Sequence, residues 1–451
     1  LEEFRLLNSL VSFLNPVHPA DPVIPSIWRG QFVEPDVQIK VDINRLTGEL
    51  VQLATYSDAP APAVTRVLFT RPDLAAREFF VGLCREVGLA VRTDPVGNIF
   101  ARWEGAQPGL PAVATGSHTD AIPFSGMYDG TVGVLGGLEA IRALQRTGFQ
   151  PRRAIELVML TSEEPTRFGL GCVGSRLLGG QLDPARAARL VDEQGRDLES
   201  VRAEAGCTGS LADVRLKPGH YAQWVELHIE QGPLLEQAGL PIGVVTALAA
   251  PATLRVRYQG PGGHAGGVYM PDRRDPLLAA AKLALEVEAA VHKLGGRESV
   301  GTVGVLDVHP RAVNSIPRDV MLEIDVRDIN GPRRDKILAR IRTSAALFGE
   351  ERRVDATIEE INADPPVTCD AAIIAAAEAS AAAANVPSQR MISRAYHDTT
   401  FMSLVAPVGM IFIPCRDGIS HRPEEYAAPE AIAAGVEVLA RTLARLAADA
   451  A

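Results

Sequence analysis

Three short apolar runs in this chain end on ionisable side chains, and that pairing limits what the chain can fold into. Ala112-Val113-Ala114-Thr115 leads to His118, Ala154 to Leu160 leads to Glu163-Glu164, and Trp224 to Ile229 carries His228 near its end. Such runs suit strands buried on both faces, as in a parallel sheet covered by helices. Helical patterns lie before the first run, over Asp42 to about Thr55 and Asp73 to Val87, and between the first and the second, over Gly130 to Leu144. In open α/β sheets the ligand crevice lies outside the carboxyl ends of the strands. Three chemistry-bearing positions at such ends are therefore candidates for one site.

At 451 residues the chain is too long for one ordinary core, and its pattern changes after Gly243. Leu254 to Tyr258 alternates as a half-buried strand, and a helix follows from Asp275 to about Leu294. Strands at Gly301–Val308 and Met321–Arg327, a helix from Pro332 to Phe348 and a strand at Val354–Ile361 complete a split βαβ order, the ferredoxin-like α+β unit. The chain then returns to α/β character, with a helix over Asp370–Ala384, a strand at Val408–Pro414 and a helix from about Pro429. The expected organisation is an irregular arm over 1–40, broken by Pro16, Pro19, Pro22 and Pro25, then a discontinuous α/β domain over 41–242 and 363–451. An α+β unit over 243–362 is inserted in it.

A net charge of -10 argues against nucleic acid or an anionic lipid surface as a partner. No apolar run approaches the roughly 20 residues of a membrane helix. Five scattered cysteines with no C-x-x-C pair fit neither a disulfide framework nor a cysteine-ligated zinc site. The chain opens on Leu1 rather than Met, which leads us to expect a removed upstream segment.

Five islands carry the chemistry: Gly116 to Asp120, Tyr128-Asp129-Gly130, Glu163-Glu164, Glu226-Leu227-His228 and Ser420-His421. Together they offer three imidazoles, a bridging-type aspartate and two adjacent glutamates, the inventory of a two-metal hydrolase. His118 and Asp120 stand two apart at a strand end, so Asp120 is expected to accept the imidazole's second N–H. Asp129 opens a helix, where an Asp also serves as a plain cap. Adjacent carboxylates after a buried strand repel one another unless a cation or proton relieves them. One of Glu163 and Glu164 can then bind metal while the other takes a proton from water.

The motifs Gly-Ser-His-x-Asp, Tyr-Asp-Gly, Thr-Ser-Glu-Glu, His-Ile-Glu-Gln-Gly and Gly-His-Ala-Gly resemble the M20 metallopeptidase superfamily, in its branch acting on N-carbamoyl and ureido compounds. The signatures over 114–123, 162–169 and 393–399 are closer to the plant-type enzymes acting on ureidoglycolate than to those acting on allantoate, which carry Gly-His-Asp where this chain has Tyr396-His397-Asp398.

The resemblance implies a two-domain fold whose inserted unit is both lid and homodimer interface, and a small ureido carboxylate as substrate. It implies two divalent ions per subunit, manganese rather than zinc, held by His118, Asp129, Glu164, His228 and His421, with Asp129 bridging. Glu163 is implied as the general base, Asp120 as its catalytic neighbour, and His264 as a group lent to the neighbouring subunit's site. Glu163, Glu164, His228, Gln231, His264, Asn314 and Arg327 match substrate positions. Tyr396 and His397 are expected to meet the substrate hydroxyl. Asn314 could instead make a local turn, Arg327 could pair with Asp325 or Asp328, and Tyr396 could merely pack over the crevice. A plant-type chain with its leader removed would belong in the endoplasmic reticulum, any other in the cytoplasm. A non-catalytic protein on this fold would be expected to have lost Glu163 or His421; both are present.

Overall fold

The computed structural model describes residues 38–448, so the expected arm, apart from its last three residues, lies outside the described residues. The large sheet has nine strands. At its centre four parallel strands run in the order Ile155–Leu160, Ala112–His118, Tyr221–Ile229 and Val408–Ile413. Their side chains are buried on both faces and alternate between two cores. Val113, Leu157, Leu227 and Ile411 point into one, packed under the helices Thr131–Arg146, Ala371–Ala383 and Pro429–Ala448. Ala114, Val158, Trp224 and Phe412 point into the other, which the helix Val173–Gly179 helps to cover. This is why these runs lack polar alternation.

Close approach is built into the central pair. A Cβ on Gly116 would lie 1.9 Å from the Val158 carbonyl oxygen, so only glycine lets these strands meet there. The helix Ile43–Ala54 is capped by the Asp42 side chain and anchored through Glu139. That carboxylate is fully buried and binds Arg45 at 2.5 Å and Arg146 at 2.7 Å, and accepts the Asp42 N–H at 2.9 Å.

The inserted unit is a four-stranded antiparallel sheet in the order Val300–His309, Asp319–Asp328, Ala250–Gln259 and Asp355–Ala363. The helices Pro276–Leu294 and Gly331–Arg352 cover one face, with Leu254, Val256, Leu322 and Ile324 packed against Leu283, Val287 and Ile337. The other face carries charge ladders, Arg255 with Glu323 and Arg257 with Asp319. Its boundary differs from the one expected at 243. Ile242–Leu248 is a strand of the large sheet, parallel to Ser388–Ser393 and antiparallel to Val408–Ile413. The chain crosses to the inserted unit at Ala249 and Ala250 and returns after Ala363. Gly243 misled because it is not a turn: a Cβ there would lie 2.2 Å from Met391 Sδ, so the glycine serves strand packing. Among the described residues no helix is long and apolar enough to cross a membrane.

Candidate active site

The four parallel strands all release their chains at the same edge of the sheet. His118 is the last residue of its strand and pairs in register with Leu160, from which Thr161-Ser162 leads to Glu163-Glu164. His228 pairs with Phe412, and the segment after Ile413 leads to His421. In these loops Ser162, Gln231, Asp417 and His421 hold left-handed backbone without being glycine (φ of 58°, 53°, 57° and 59°). Strain of this kind persists where surrounding structure overdetermines it, characteristically at functional sites.

Asp129 is the meeting point. His118 Nε2 stands 3.7 Å and His228 Nε2 3.2 Å from its Oδ1, while His421 Nε2 lies 3.0 Å from Oδ2 and 3.3 Å from Glu164 Oε1. The ligand atoms of His118, Asp129 and His228 all lie within 4.8 Å of one another, and so do those of Asp129, Glu164 and His421. Asp129 is common to both triads, the geometry of a bridge between two ions. The rings of His118 and His228 are set by their far nitrogens. Each Nδ1 donates to a backbone carbonyl, of Asp120 at 3.0 Å and of Ile229 at 2.9 Å, which turns the Nε2 lone pair toward Asp129; that of His228 also accepts the Gly130 N–H at 3.2 Å.

Divalent ions fit this set. Asp129 Oδ1 is buried and accepts no hydrogen bond. Burial would raise the Asp129 carboxyl, but its contacts with His118, His228 and His421 outweigh that and hold it well below the usual range. Burial pushes Glu163 well above the usual carboxylate range, with Glu164, Asp398 and Asp129 adding to the effect against His118. Asp120 is pushed up to about 6 and Asp398 to about 7, mainly by burial. So many buried carboxylates call for positive charge, which imidazoles alone supply poorly.

The Asp120 carboxylate does not serve His118 as expected. It accepts the backbone N–H groups of Glu163 at 3.3 Å and Glu164 at 3.0 Å, and so fixes the acidic loop. His118 is met instead by the Asp120 backbone carbonyl, because the strand ends there and turns its carbonyl inward. Glu425, which the sequence reading did not single out, holds the bridge from below. Its Oε1 accepts the N–H of Tyr128 at 2.8 Å and of Asp129 at 3.1 Å, and its Oε2 accepts the Ser420 hydroxyl at 2.9 Å. Glu226 lay in a recognised island but without a role. It accepts the Ser117 hydroxyl at 2.7 Å and the Thr399 hydroxyl at 2.5 Å, stitching the strand of His118 and the 394–399 loop to that of His228.

A cleft of ≈ 490 Å³ opens over the cluster. Asp129, Glu163, Glu164, His228 and His421 line it, with Gln231, Arg176, Arg327 and Tyr396 around them. Gln231 Nε2 donates to Asp129 Oδ2 at 2.9 Å. Arg327 reaches the cleft from the inserted sheet and also pairs with Asp325 at 2.9 Å, the partner weighed above. Two expectations are corrected. The Tyr396 hydroxyl is not free for a substrate: it donates to Asp364 at 2.6 Å and accepts from Arg176 at 2.7 Å. His397 is buried behind the site rather than in it, with Nε2 3.0 Å from Ser393 Oγ and its ring edge-on to His228 at 4.5 Å. His264 and Asn314 come together on a small ladder of the inserted unit, where Ala265 N–H donates to the Asn314 carbonyl at 2.8 Å. Both are exposed, and neither lines the cleft of its own chain.

Residues 114–445 match peptidase family M20/M25/M40. The chain is 52% identical over 411 residues to ureidoglycolate hydrolase of Oryza sativa subsp. japonica, covering 90% of this chain and 85% of that one. To ureidoglycolate hydrolase of Arabidopsis thaliana it is 50% identical, covering 91% and 88%. The crystal structure of AtUAH in complex with (S)-hydroxyglycine superposes with a TM-score of 0.81 at 50% identity, covering 91% of this chain and 99% of that one. The structure of AtUAH in complex with glyoxylate gives the same values.

A tight steric demand in the cluster falls at Gly130. Its φ is +67°, and a Cβ there would stand 2.4 Å from His118 Nε2. Gly130→Ala is therefore expected to fold, by far-ultraviolet circular dichroism, yet to bind metal about 10–100-fold more weakly, as other disturbances of ligand orientation do. Metal analysis after dialysis against graded chelator measures it; unchanged metal retention would refute the packing argument.

Proposed function

The chain belongs to peptidase family M20/M25/M40, and on that footing we propose that it hydrolyses the ureido group of (S)-ureidoglycolate. Water attacks the ureido carbonyl; ammonia and carbon dioxide leave, and the remaining hydroxyglycine falls apart to glyoxylate and a second ammonia. The observation that carries this reading is the convergence of His118, Asp129, Glu163, Glu164, His228 and His421 at one sheet edge. The likeness to two ureidoglycolate hydrolases over nine-tenths of the chain supports the choice of substrate.

His118 and His228 would hold one ion, Glu164 and His421 the other, and Asp129 both. Two such ions supply Lewis-acid charge to a carbonyl oxygen and lower the pKa of water. The donors, imidazole and carboxylate without sulfur, accept either zinc or manganese, and we propose manganese on the resemblance to the ureido-acting branch of the family. The nearest thiol, Cys172, donates to Glu163 at 3.7 Å, and burial pushes it well above its ordinary range.

Glu163 takes the proton of the attacking water and delivers it to the leaving amine. Its carboxylate stands 3.7 Å from His118 Nε2, close to the cluster without belonging to either triad. Asp120 keeps Glu163 in place through the backbone. Arg327 offers a planar guanidinium to the substrate carboxylate, and Gln231 orients the bridge. Ammonia release should be fastest, as kcat/KM, on ureidoglycolate when allantoate and N-carbamoyl-β-alanine are run in parallel; a higher value on either of the others overturns the substrate choice. Glu163→Gln should keep both metals and lose about 10²–10⁴-fold in kcat. Near-normal rates would remove Glu163 from the role of base.

We also propose a homodimer through the inserted unit. Its strand Val300–His309 is a sheet edge with Val300, Val305 and Leu306 exposed, an edge that calls for a cover. His264 and Asn314, both away from their own cleft, would then serve the neighbouring one, His264 stabilising the oxyanion. Mixed and reassembled, His264→Ala and Glu163→Gln proteins should recover activity toward a quarter of wild type, since half the dimers are hybrid and each hybrid has one intact site. No recovery in proven hybrids would return both residues to their own subunit or exclude them from catalysis.

A further inference from the structure

The two chain crossings between the large sheet and the inserted unit are both gripped, and one residue reaches both of them. Arg334, on the long helix Gly331–Arg352, donates to the carbonyl of Ala250 at the outgoing crossing, at 3.3 Å, and to the carbonyl of Asp364 at the returning one. It is 4% exposed. The Asp364 side chain faces the other way, into the large domain. There Arg176 meets it in a two-pronged pair, Nη1 to Oδ1 at 2.9 Å and Nη2 to Oδ2 at 2.7 Å. The Tyr396 hydroxyl adds a third bond to Oδ2 and accepts from Arg176.

Arg176 is itself held by the loop that follows the two glutamates. Its Nε donates to the Gly171 carbonyl at 3.0 Å, and its guanidinium lies over the Phe401 ring at 4.1 Å. Arg327 crosses in the same direction, donating to the Arg394 carbonyl at 3.0 Å, two residues before Tyr396. Arg176, Tyr396 and Arg327 all line the cleft. Exposed charge pairs contribute little, but a buried fork between guanidinium and carboxylate is directional and costly to break from one side.

We propose that Arg176, Asp364 and Tyr396 form a latch that fixes the angle of the inserted sheet over the large one, and so sets where Arg327 stands above the carboxylate–imidazole cluster. They are positioning residues, acting through Arg327. The proposal rests on the functional reading above for its kinetic arm only. With Arg176–Asp364 joined, the grip on a substrate carboxylate and the reacting carbonyl are held at one spacing. Released, the cluster is intact but the substrate is poorly held.

The test uses the metal-loaded full chain carrying bio-orthogonal spin labels at Val51 and Leu285, exposed helix positions on the two domains, diluted into unlabelled protein. Asp364→Ala should broaden the distance distribution between the labels. It should raise KM for ureidoglycolate about tenfold while kcat moves less than about threefold, with metal content unchanged. Asp364→Asn, which keeps the side-chain shape, should move both readouts the same way by less, and covers the case in which the alanine variant does not fold. Arg176→Lys keeps the charge and loses the fork, and should resemble Asp364→Asn. An unchanged distance distribution overturns the latch, as does a fall in kcat with KM and the distances unmoved, which would place the network's effect on the cluster instead. If the unsubstituted enzyme turns over no ureido acid, the functional reading fails, and the distance distributions still decide the latch.

Discussion

A single buried carboxylate with three imidazoles gathered round it, on the floor of a cleft, is the interaction on which this molecule depends. Asp129 is 6% exposed, and one of its oxygens has no hydrogen-bond donor at all. An arrangement of this kind is unfavourable in isolation, because burying charge costs far more than any one contact returns. It becomes favourable when cations complete it. Much of the surrounding structure is explicable as support for that centre. The Glu425 carboxylate takes up the backbone around Asp129, Asp120 takes up the backbone of the two glutamates, and two backbone carbonyls set the rings of His118 and His228.

The sheet supplies the precision. Four parallel strands end at one edge because their helical crossovers return the chain to the same side each time. The loops that follow start from strands packed on both faces, so each side chain is placed from a rigid base. The inserted sheet is different in kind. Its inner face is packed like any core, but its outer face is a ladder of exposed ion pairs that ends at Asp325 and Arg327 near the cleft. Polar and wet, that face can approach the cluster without adhering to it.

How much of this was legible beforehand follows from the range of the interactions. The strands and helices were readable because their signals are local: apolar runs, helical spacing, an Asp before a helix. The ligands were readable because they stand at the ends of those runs and because their motifs resemble a known family. Glu425 was not, since nothing in Arg-Pro-Glu-Glu marks one glutamate as buried beneath a turn 296 residues away. The role of Tyr396 was misjudged for the same reason: its partner Asp364 is 32 residues distant and Arg176 is 220. Gly243 shows the opposite failure, a residue whose local meaning is a break but whose tertiary meaning is a tight fit against Met391. Asp120 was assigned to the correct neighbourhood and the wrong atom, because side-chain spacing cannot tell whether a carboxylate or a carbonyl turns inward.

The centre draws on segments that leave the ribosome far apart in time. His118, Asp129, Glu163, Glu164 and His228 emerge early, the whole inserted unit follows, and only then come His421 and Glu425. The strand Val408–Ile413, which lies beside Tyr221–Ile229 in the large sheet, leads into the segment that brings them. A nascent or truncated chain therefore has no complete second triad, and Asp129 lacks the glutamate beneath it. The full set of candidate ligands exists only once the segment carrying His421 and Glu425 has been made and has docked against Asp129.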